Sequence, residues 1–473
     1  MKKENKKGIS LITLVITIIV VIIIAAAVIL TLTKNNPIGE SKKAAFINDI
    51  ATFQDQLELY KASEYGKNLG DFLPSSLNAT TQESVETVIP SLAGITKYEN
   101  KIHIIKGKLI YVGTDEEQLK WAEEVDAAPL AYVGNAPVLA SGMTPVKWDD
   151  SGVLVTTTAS DSNWYDYKNK KWANARTTDG SLWVWIPRYE YDIPTLNEHT
   201  NVAGTININF IENLGTTASS GYIVHPAFTF GTLELPGIWV AKFEASGTTN
   251  TIASKPGTTS LRRIILNTMF NSCLNMQSAN GTQYGWGTTG TGLDTHLIKN
   301  VEWGAMAYLS NSKYGINTEV GNNTDTTTYY TGGGSGDSYK TNVLQSTTGN
   351  VYGIYDAAGG VYEITAAYVA NGNSILASNA SSLVAAASRY KDVYLPGDGT
   401  ALGIYSANSG KKGDAIFETS STGEMAKAWY TDYSNMPYGM FAFFNRSGFG
   451  DSVIGGIFGF SATGRRPNEL CWI

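Results

Sequence analysis

The first 33 residues constrain the topology of this chain more than any other feature. A cluster of four lysines between residues 2 and 7 precedes Ile9–Thr33, which is 25 residues of mostly Ile, Val, Leu and Ala without a charge. A helix of that length would extend for about 37 Å, which is enough to span the ~30 Å hydrocarbon core of a bilayer. Because the lysines come first, we expect a single-pass protein of the cell membrane with a cytoplasmic N-terminus and residues 34–473 outside the cell.

Three interpretations of this segment compete. The small residues Ala25-Ala26-Ala27 could end a cleaved signal peptide, although the apolar stretch of a signal peptide usually has about 7–15 residues. A plain signal anchor is the second interpretation. The third rests on the junction K-K-G-I-S-L-I-T-L-V-I-T (Lys6–Thr17), which resembles the type IV prepilin leader.

The prepilin resemblance implies a processing site and partners. In that family a prepilin peptidase cleaves after the glycine and methylates the new amino terminus, here Gly8 and Ile9, before a pilus-like machinery assembles the product. The chain departs from the family at Thr13, where pilins usually carry a glutamate that pairs with a neighbouring subunit. Because a carboxylate in hydrocarbon is costly unless paired, its absence removes an assembly device. The departure favours a minor or pseudopilin role over that of a main filament subunit.

A second helix signal follows a break at Asn35–Gly39. Between Ser41 and Ala62, apolar side chains recur at steps of four and three residues, at Phe46, Ile50, Phe53, Leu57 and Tyr60. This spacing predicts a helix with one apolar face, so that residues 9–64 form a transmembrane and stem helix behind the basic leader, residues 1–8. We expect the apolar face to pack against the small domain that follows.

Residues 65–126 are predicted to form a small pilin-like α/β module. Ile102–Ile105 and Lys108–Val112 are rich in β-forming residues and flank Lys106-Gly107, which predicts a hairpin. Thr114-Asp115-Glu116-Glu117 predicts a helix start, because Thr or Asp caps free amides and acidic residues suit the positive end of a helix. We interpret residues 127–180 as a linker and β-rich connection.

The remaining residues, 181–473, are predicted to form a β-rich head. Stretches rich in Gly, Thr, Ser and Asn alternate with short aromatic strands, and helix signals are scarce. The chain has few charged residues (16%) and a net charge of −7, and its basic groups beyond the N-terminus are short and scattered. This charge pattern argues against nucleic-acid binding.

Four landmarks occur in order within the head. They are S-L-W-V-W-I-P-R-Y-E-Y from Ser181, G-I-W-V-A-K-F-E-A-S-G from Gly237, K-N-V-E-W-G-A-M-A-Y-L-S from Lys299 and N-V-Y-G-I-Y-D-A-A-G-G-V-Y-E-I from Asn350. The first two predict strands, the third predicts the main buried helix, and the fourth predicts a strand, a glycine-rich turn and a second strand. Together they resemble the formylglycine-generating-enzyme type of C-type lectin fold over about residues 181–460.

The fourth landmark carries the most specific part of this resemblance, to the family hairpin G-L-Y-D-M-x-G-N-V-W-E-W. The matching residues are Gly353, Tyr355, Asp356, Gly359, Val361 and Glu363, whereas Ala357, Gly360 and Tyr362 replace the usual Met, Asn and Trp. We interpret the matching residues and Trp303 of the third landmark as determinants of the fold. Glycine permits tight turns, an aspartate can bond to backbone amides, and tyrosines fill a core.

The family's enzymes bind copper through two C-terminal cysteines a few residues apart. This chain has only Cys273 and Cys471, which favours a structural disulfide or two free thiols over an oxidase site. The four histidines stand in no metal or hydrolase motif, and we interpret His225 as a packed or hydrogen-bonded core residue. We therefore expect no catalysis and no cofactor. Calcium binding in oxygen-rich loops, such as Asn322–Asp325 or Gly397–Gly399, remains an alternative.

An aromatic-rich stretch, residues 429–460, is the candidate ligand-binding surface. Its aromatic side chains alternate with small polar residues, as they do in many binding surfaces. The candidate residues are Tyr430, Tyr433, Asn435, Tyr438, Asn445, Phe449 and Asp451. An equally weighted alternative is that this stretch forms the closing strands of the core.

The predicted fold class is α+β, with a long N-terminal helix, a small α/β module and a lectin-like head. The predicted function is a non-enzymatic, pilin-like surface protein whose head binds an extracellular protein or glycan. One alternative is a minor structural subunit of a type IV pilus-like filament. Another is a surface receptor varied by a diversity-generating retroelement, although the ending G-R-R-P-N-E-L-C-W-I lacks the usual terminal G-F-R. A formylglycine-generating-type oxidase is the last alternative.

Overall fold

The computed structural model combines helices and sheets, as the predicted α+β class requires, and divides into two compact units, residues 1–130 and 131–473. The described residues are 37–67, 83–84, 95–98, 101–105, 108–111, 113, 115–125, 127, 136–195, 204–211, 214, 216–288, 293–447, 455–463 and 470–471. No helix within these ranges is long and apolar enough to cross a membrane. The membrane helix predicted for Ile9–Thr33 and the processing site at Gly8 and Ile9 lie outside the described residues.

The N-terminal unit is built around one amphipathic helix. Its elements are α1 (Pro37–Lys67), β1 (Glu83–Ser84), β2 (Ile102–Ile105), β3 (Lys108–Tyr111) and α2 (Glu116–Glu124). The three strands form an antiparallel sheet in the order β1-β2-β3. The predicted apolar face of α1 is confirmed, because four of its five residues are buried in a cluster with the sheet and α2, and Tyr60 packs against that cluster.

Short-range signals explain the hairpin and the second helix of this unit. Strands β2 and β3 pair antiparallel, with Ile105 opposite Lys108, as the hairpin prediction requires. The carboxylate of Asp115 accepts hydrogen bonds from the backbone N–H groups of Glu117 and Gln118, each at 3.0 Å. These bonds satisfy amides that the first turn of α2 would otherwise leave free, so the predicted cap is confirmed.

The C-terminal unit consists mainly of short strands. They are β4 (Thr144–Trp148), β5 (Leu154–Thr156), β6 (Asn174–Arg176), β7 (Leu182–Pro187), β8 (Tyr189–Thr195), β9 (Thr205–Phe210), β10 (Ile223–Val224), β11 (Thr229–Phe230), β12 (Leu233–Glu234), β13 (Gly237–Ala241), β14 (Ser246–Thr248), β15 (Thr251–Ala253), β16 (Glu363–Val369), β17 (Asp392–Tyr394), β18 (Ala426–Lys427), β19 (Tyr433–Ser434), β20 (Phe443–Arg446), β21 (Phe460–Thr463) and β22 (Leu470–Cys471). The helices are α3 (Leu266–Asn275), α4 (Gly281–Tyr284), α5 (Asn300–Ser310), α6 (Ser374–Ala385) and α7 (Ala401–Asn408).

Two larger sheets organise this unit. The first is antiparallel in the order β13-β7-β6-β4-β5, and the second has the order β17-β16-β20-β21-β19-β18, with β22 also paired to β16. Helix α5 contacts both β7 and β16, so it touches both sheets. Its Trp303 is fully buried and donates its indole N–H to the carbonyl of Ile457 at 2.7 Å. The prediction of a buried main helix in the third landmark is therefore confirmed.

The stretch interpreted as a linker and β-rich connection, residues 127–180, supplies part of the first sheet. Strands β4, β5 and β6 all lie in it, and β6 pairs directly with β7. Described residues from 136 onward thus belong to the same compact unit as the first landmark. Tertiary pairing, rather than a composition boundary, defines where this unit begins.

One strand prediction is wrong. Residues 350–362 form turns instead of a strand, and only the second predicted strand, β16, is extended. The ammonium group of buried Lys242 donates to the carbonyls of Val351 (2.7 Å) and Gly353 (2.5 Å), and Tyr355 donates its backbone N–H to the carbonyl of Lys242 (2.9 Å). These bonds replace the hairpin ladder, because a buried ammonium group must find acceptors.

The matching residues of the fourth landmark lie in the core. The carboxylate of Asp356 accepts hydrogen bonds from the backbone N–H of Gly332 (2.8 Å) and from the side-chain amide of Asn323 (2.9 Å). Gly359 has a φ of +77°, and an added Cβ would lie 2.5 Å from the backbone of Asn323. Tyr355 and Glu363 are fully buried. These positions agree with their interpretation as determinants of the fold.

Candidate functional site

The described part of the C-terminal unit contains a pocket with aromatic walls, the aromatic pocket. It encloses about 520 Å³ and is lined by β7, β13, the β11–β12 turn region and the segment that leads into α5. Its aromatic lining residues are Trp183, Trp185, Trp239, Trp286 and Phe230. Pockets of this size with aromatic walls and a few polar groups are the usual form of a small-ligand site.

The local sequence explains how the tryptophans come together. Trp183 and Trp185 lie two residues apart on β7, so the pleat places them on one face. Trp239 stands directly opposite Trp185 on β13, and their ring centroids are 5.2 Å apart. A Cβ at Gly237 would lie 2.4 Å from the ring of Trp185, so the glycine leaves room for that ring. The pocket wall therefore depends on both strands.

Charged side chains converge at one end of the pocket. His296 Nε2 lies 3.0 Å from Glu302 Oε1, and His296 Nδ1 lies 3.4 Å from Asp294 Oδ1. Lys299 Nζ lies 3.1 Å from Glu302 Oε1, and the backbone N–H of Lys299 donates to Glu302 Oε2 at 2.8 Å. Glu302 occupies the first turn of α5, where a carboxylate also suits the positive end of the helix. This end of the pocket is a compact ion network.

The pKa values of the network follow from burial and charge together. Burial opposes the charge on His296, but the carboxylates of Glu302 and Asp294 outweigh it and raise the pKa of His296 to about 9. Burial likewise opposes the charge on Glu302, but Lys299 and His296 outweigh it and lower the pKa of Glu302 to about 2. Both groups are therefore charged at neutral pH, and the pair is an ion pair.

Further aromatic and charged side chains surround the charged end of the aromatic pocket. The imidazole of His296 stacks on Phe230 with centroids 5.0 Å apart. Tyr390 donates its hydroxyl to Asp294 Oδ2 at 2.8 Å, and the guanidinium of Arg389 lies over the Tyr390 ring at 4.8 Å. Asp294 and Arg389 both line the pocket. A ligand can thus place an apolar group among the tryptophans and a polar group near these two charges.

The protonation state of His296 limits the chemistry of this end of the pocket. A general base near neutral pH needs an unprotonated group, whereas His296 is protonated up to a pH of about 9. In the described part of the chain, His, Cys, Asp and Glu form no group of three or more that could hold a metal ion. In the loops considered for calcium, Asp325 accepts the backbone N–H groups of Thr327 and Thr328, and Asp398 accepts that of Thr400.

The sequence-predicted surface residues do not converge on one site. Tyr430 and Asn445 are buried, Tyr433 and Asn435 are half-buried, and Tyr438 is 41% exposed. Phe449 and Asp451 lie outside the described residues. Much of the stretch follows the alternative interpretation, because Trp429, Phe443, Phe444, Phe458 and Phe460 belong to the core. Tyr430 lines a recess that is separate from the aromatic pocket.

Two other sequence interpretations have a structural counterpart. His225 is fully buried, its Nδ1 accepts the backbone N–H of Ala227 at 3.2 Å, and burial lowers its pKa to about 3, so its interpretation as a core histidine is confirmed. Cys273 is buried in α3, whereas the side chain of Cys471 lies outside the described part of the chain. The disulfide between them and the alternative of two free thiols both stay predictions.

Sequence reasoning missed the aromatic pocket, although part of its signal was visible. The alternating tryptophans of the first landmark and Trp239 of the second predicted strands, but nothing local indicated that both strands face the same recess. His296 belongs to no sequence motif, and only the fold brings its ring against that of Phe230. Searches with the sequence found no matching protein-family model and no similar curated protein.

Proposed function

We propose that this chain is a membrane-anchored surface protein whose C-terminal unit binds an extracellular protein or glycan in the aromatic pocket. The pocket is the observation that carries the proposal. Besides five aromatic residues, it is lined by two aliphatic side chains that stay largely exposed, Val138 at 57% and Leu233 at 58%. A contiguous apolar recess that remains accessible costs free energy in water, so it typically marks a site that a ligand covers.

The walls and the charged end have different tasks in this proposal. The tryptophan faces supply most of the binding energy, because large aromatic side chains dominate the energetics of interfaces. Asp294 and Arg389 orient the ligand through hydrogen bonds at the rim. The His296–Glu302 ion pair holds the segment before α5 in place and offers no unprotonated imidazole at neutral pH, which supports a non-enzymatic role.

The anchor is proposed to be a prepilin-type segment. The K-K-G-I-S junction supports cleavage by a prepilin peptidase between Gly8 and Ile9, and the apolar face of α1 packs on its own small module as a pilin stem helix would. Thr13 favours a minor or pseudopilin role over that of a main subunit. The buried helix α5 with Trp303 also supports, as part of the same proposal, a lectin-like fold of the formylglycine-generating-enzyme type.

The processing proposal has a direct test. Mass spectrometry of the mature protein purified from membranes should find an N-terminal methylated Ile9. An intact Met1 would exclude the prepilin route and leave a plain signal anchor. Probing isolated surface filaments for the chain then separates a filament subunit from a protein that stays in the membrane.

The binding proposal is tested with the full-length protein displayed on cells. Adhesion to an array of glycans and immobilised surface proteins is measured for the wild type, Trp239→Ala and Tyr438→Ala. Both residues are aromatic and partly accessible, but only Trp239 lines the pocket. We expect Trp239→Ala to weaken binding at least tenfold, or about 1.4 kcal/mol, and Tyr438→Ala to leave it unchanged.

The outcomes of this comparison are distinct. Loss of binding in Tyr438→Ala alone would move the site to the C-terminal aromatic stretch and contradict the pocket. Failure of the wild type to bind any ligand would contradict the binding role itself. Surface expression of each variant is measured in parallel with an antibody, and Trp239→Phe, which keeps an aromatic ring, should retain part of the affinity.

A further inference from the structure

A second groove runs along strand β9 and shares no residue with the aromatic pocket. It encloses about 710 Å³, and its lining includes six consecutive residues, 204–209, with residues of the 313–319 loop and Tyr430 around them. Ile206 and Ile208 line this groove although their side chains are buried in the core, at 4% and 2% exposure. The surface that they offer to the groove is therefore their backbone.

The pairing of β9 with β8 leads to the same conclusion. The backbone N–H of Ile211 donates to the carbonyl of Arg188 at 3.0 Å, and in an antiparallel ladder only every second pair exchanges such bonds. Bonded and non-bonded pairs alternate from Arg188 and Ile211 onward, so Ile208 and its partner Tyr191 form a pair without mutual hydrogen bonds. The N–H and C=O of Ile208 therefore point away from β8, and no backbone bond joins them to another described residue.

Strand β9 is an open edge among the described residues. Its sheet has the order β10-β8-β9, so β9 has a strand on one side only. An unpaired strand edge is a template on which another extended chain can pair. At about 3.4 Å per residue, the six residues of β9 offer an edge of about 20 Å.

Two exposed charged side chains line the same groove. Lys313 and Glu319 both line it, and neither makes an ion pair within the described part of the chain. Groups of opposite sign at the wall of an open groove can each take a complementary charge from a ligand. The outward side chains of β9, Thr205, Asn207 and Asn209, add polar partners without blocking the edge.

We propose that this groove binds an extended peptide segment of a partner protein by strand addition. The peptide backbone pairs with the free N–H and C=O groups of β9, while an acidic and a basic side chain of the peptide pair with Lys313 and Glu319. The backbone groups of Ile208 that point away from β8 favour a peptide over a glycan, because donors and acceptors that alternate along a strand are matched by those of another strand. This site is independent of the aromatic pocket and of its proposed ligand.

The test uses the full-length protein in detergent micelles and a library of linear peptides displayed on phage. Selected peptides are synthesised, and their affinity is measured by fluorescence anisotropy. We expect peptides that carry both charge signs. N-methylation of single peptide amides should weaken binding at least tenfold at alternate positions and leave the intervening positions unchanged, because only alternate amides donate to β9.

The second part of the test reverses the two charges of the groove. The double variant Lys313→Glu with Glu319→Lys should lose the selected peptides and bind versions with inverted charges, whereas Lys120→Glu, an exposed lysine of the other unit, should behave as wild type. Trp239→Ala should also leave peptide binding unchanged, so failure of the pocket and failure of the groove are distinguishable. A library without enriched peptides, or N-methyl effects without a period of two, would overturn the proposal. The proposal would also be overturned if the groove bound a glycan and Glu319→Lys abolished that binding, or if the chain self-associated through the edge of β9.

Discussion

The buried carboxylate of Asp432 gives a prediction about stability that depends on pH. Asp432 is 1% exposed, its Oδ2 accepts the backbone N–H of Phe458 at 2.9 Å, and burial raises its pKa to about 8. In the unfolded chain an aspartate has a pKa of about 3.9. The folded state therefore holds the proton more tightly. The protonated carboxyl of Asp432 therefore contributes its full stabilisation below pH ~4, and this contribution is lost as the pH rises towards 8.

The size of this effect follows from the difference between the two pKa values. Between about pH 5 and pH 7.5 only the unfolded chain is ionised, so the free energy of unfolding should fall by about 1.4 kcal/mol per pH unit, or roughly 3 kcal/mol in total. Asp432→Asn keeps an acceptor for Phe458 and removes the titration. A smaller slope should remain, because burial also raises the pKa of Glu244 to about 8 and that of Asp414 to about 6.

Urea unfolding of the full-length protein measures this slope. All but one of the eleven tryptophans follow residue 130, so their fluorescence reports on the C-terminal unit. The variant should match the wild type near pH 5 and be more stable by about 3 kcal/mol at pH 7.5. Asp150→Asn, which changes an exposed aspartate, should leave the slope unchanged. An unaltered slope in Asp432→Asn would refute the reasoning.

Three further predictions concern single positions in either unit. Gly359→Ala should lower the free energy of unfolding more than Gly372→Ala does, because Gly359 has a φ of +77° and its new Cβ would lie 2.5 Å from a neighbouring backbone. Gly372 has a φ of +69° but open space around it, so its substitution should cost only about 1 kcal/mol. Equal urea midpoints for the two variants would contradict this prediction. Phe53→Ala should destabilise the N-terminal unit by about 3–5 kcal/mol and raise amide exchange in its hairpin, whereas Leu59→Ala, 71% exposed on the same helix, should change neither. Glu302→Gln should lower the pKa of His296 from about 9, because it removes the charge of the nearest carboxylate. An unchanged NMR titration of the His296 imidazole would show that the ion pair does not set this pKa.

Local patterns predicted the N-terminal unit because the forces that shape it act over a few residues. The apolar steps on α1, the β-forming residues of the hairpin and the cap at Asp115 each lie within one or two turns of chain. The same reasoning located α5, where apolar residues recur at helical steps around Trp303. It wrongly placed a strand at the start of the fourth landmark, because the partner that prevents it, Lys242, lies more than a hundred residues away.

The candidate binding residues show the same division. The stretch 429–460 was selected by composition, which cannot distinguish an aromatic side chain that closes a core from one that faces a ligand. Tyr430 and Asn445 proved to be buried, whereas the aromatic pocket draws on Trp185, Trp239 and Trp286 from distant parts of the chain. Whether a side chain is buried depends on how the whole unit packs. A sequence pattern can therefore predict burial only where all of its residues lie on one helix or strand.

The sequence by itself determined the charge pattern and apolar stretch at the N-terminus, the mixed helix and strand content, and the elements with strong local periodicity. Only the tertiary structure decided which strands share a sheet, that β4, β5 and β6 join β7, and that the ring of His296 stacks on Phe230. It also decided that, among the described residues, β9 has a neighbouring strand on one side only. The physical reason is range: caps and periodic faces depend on neighbours in the chain, whereas pockets, ion pairs and open edges depend on neighbours in space.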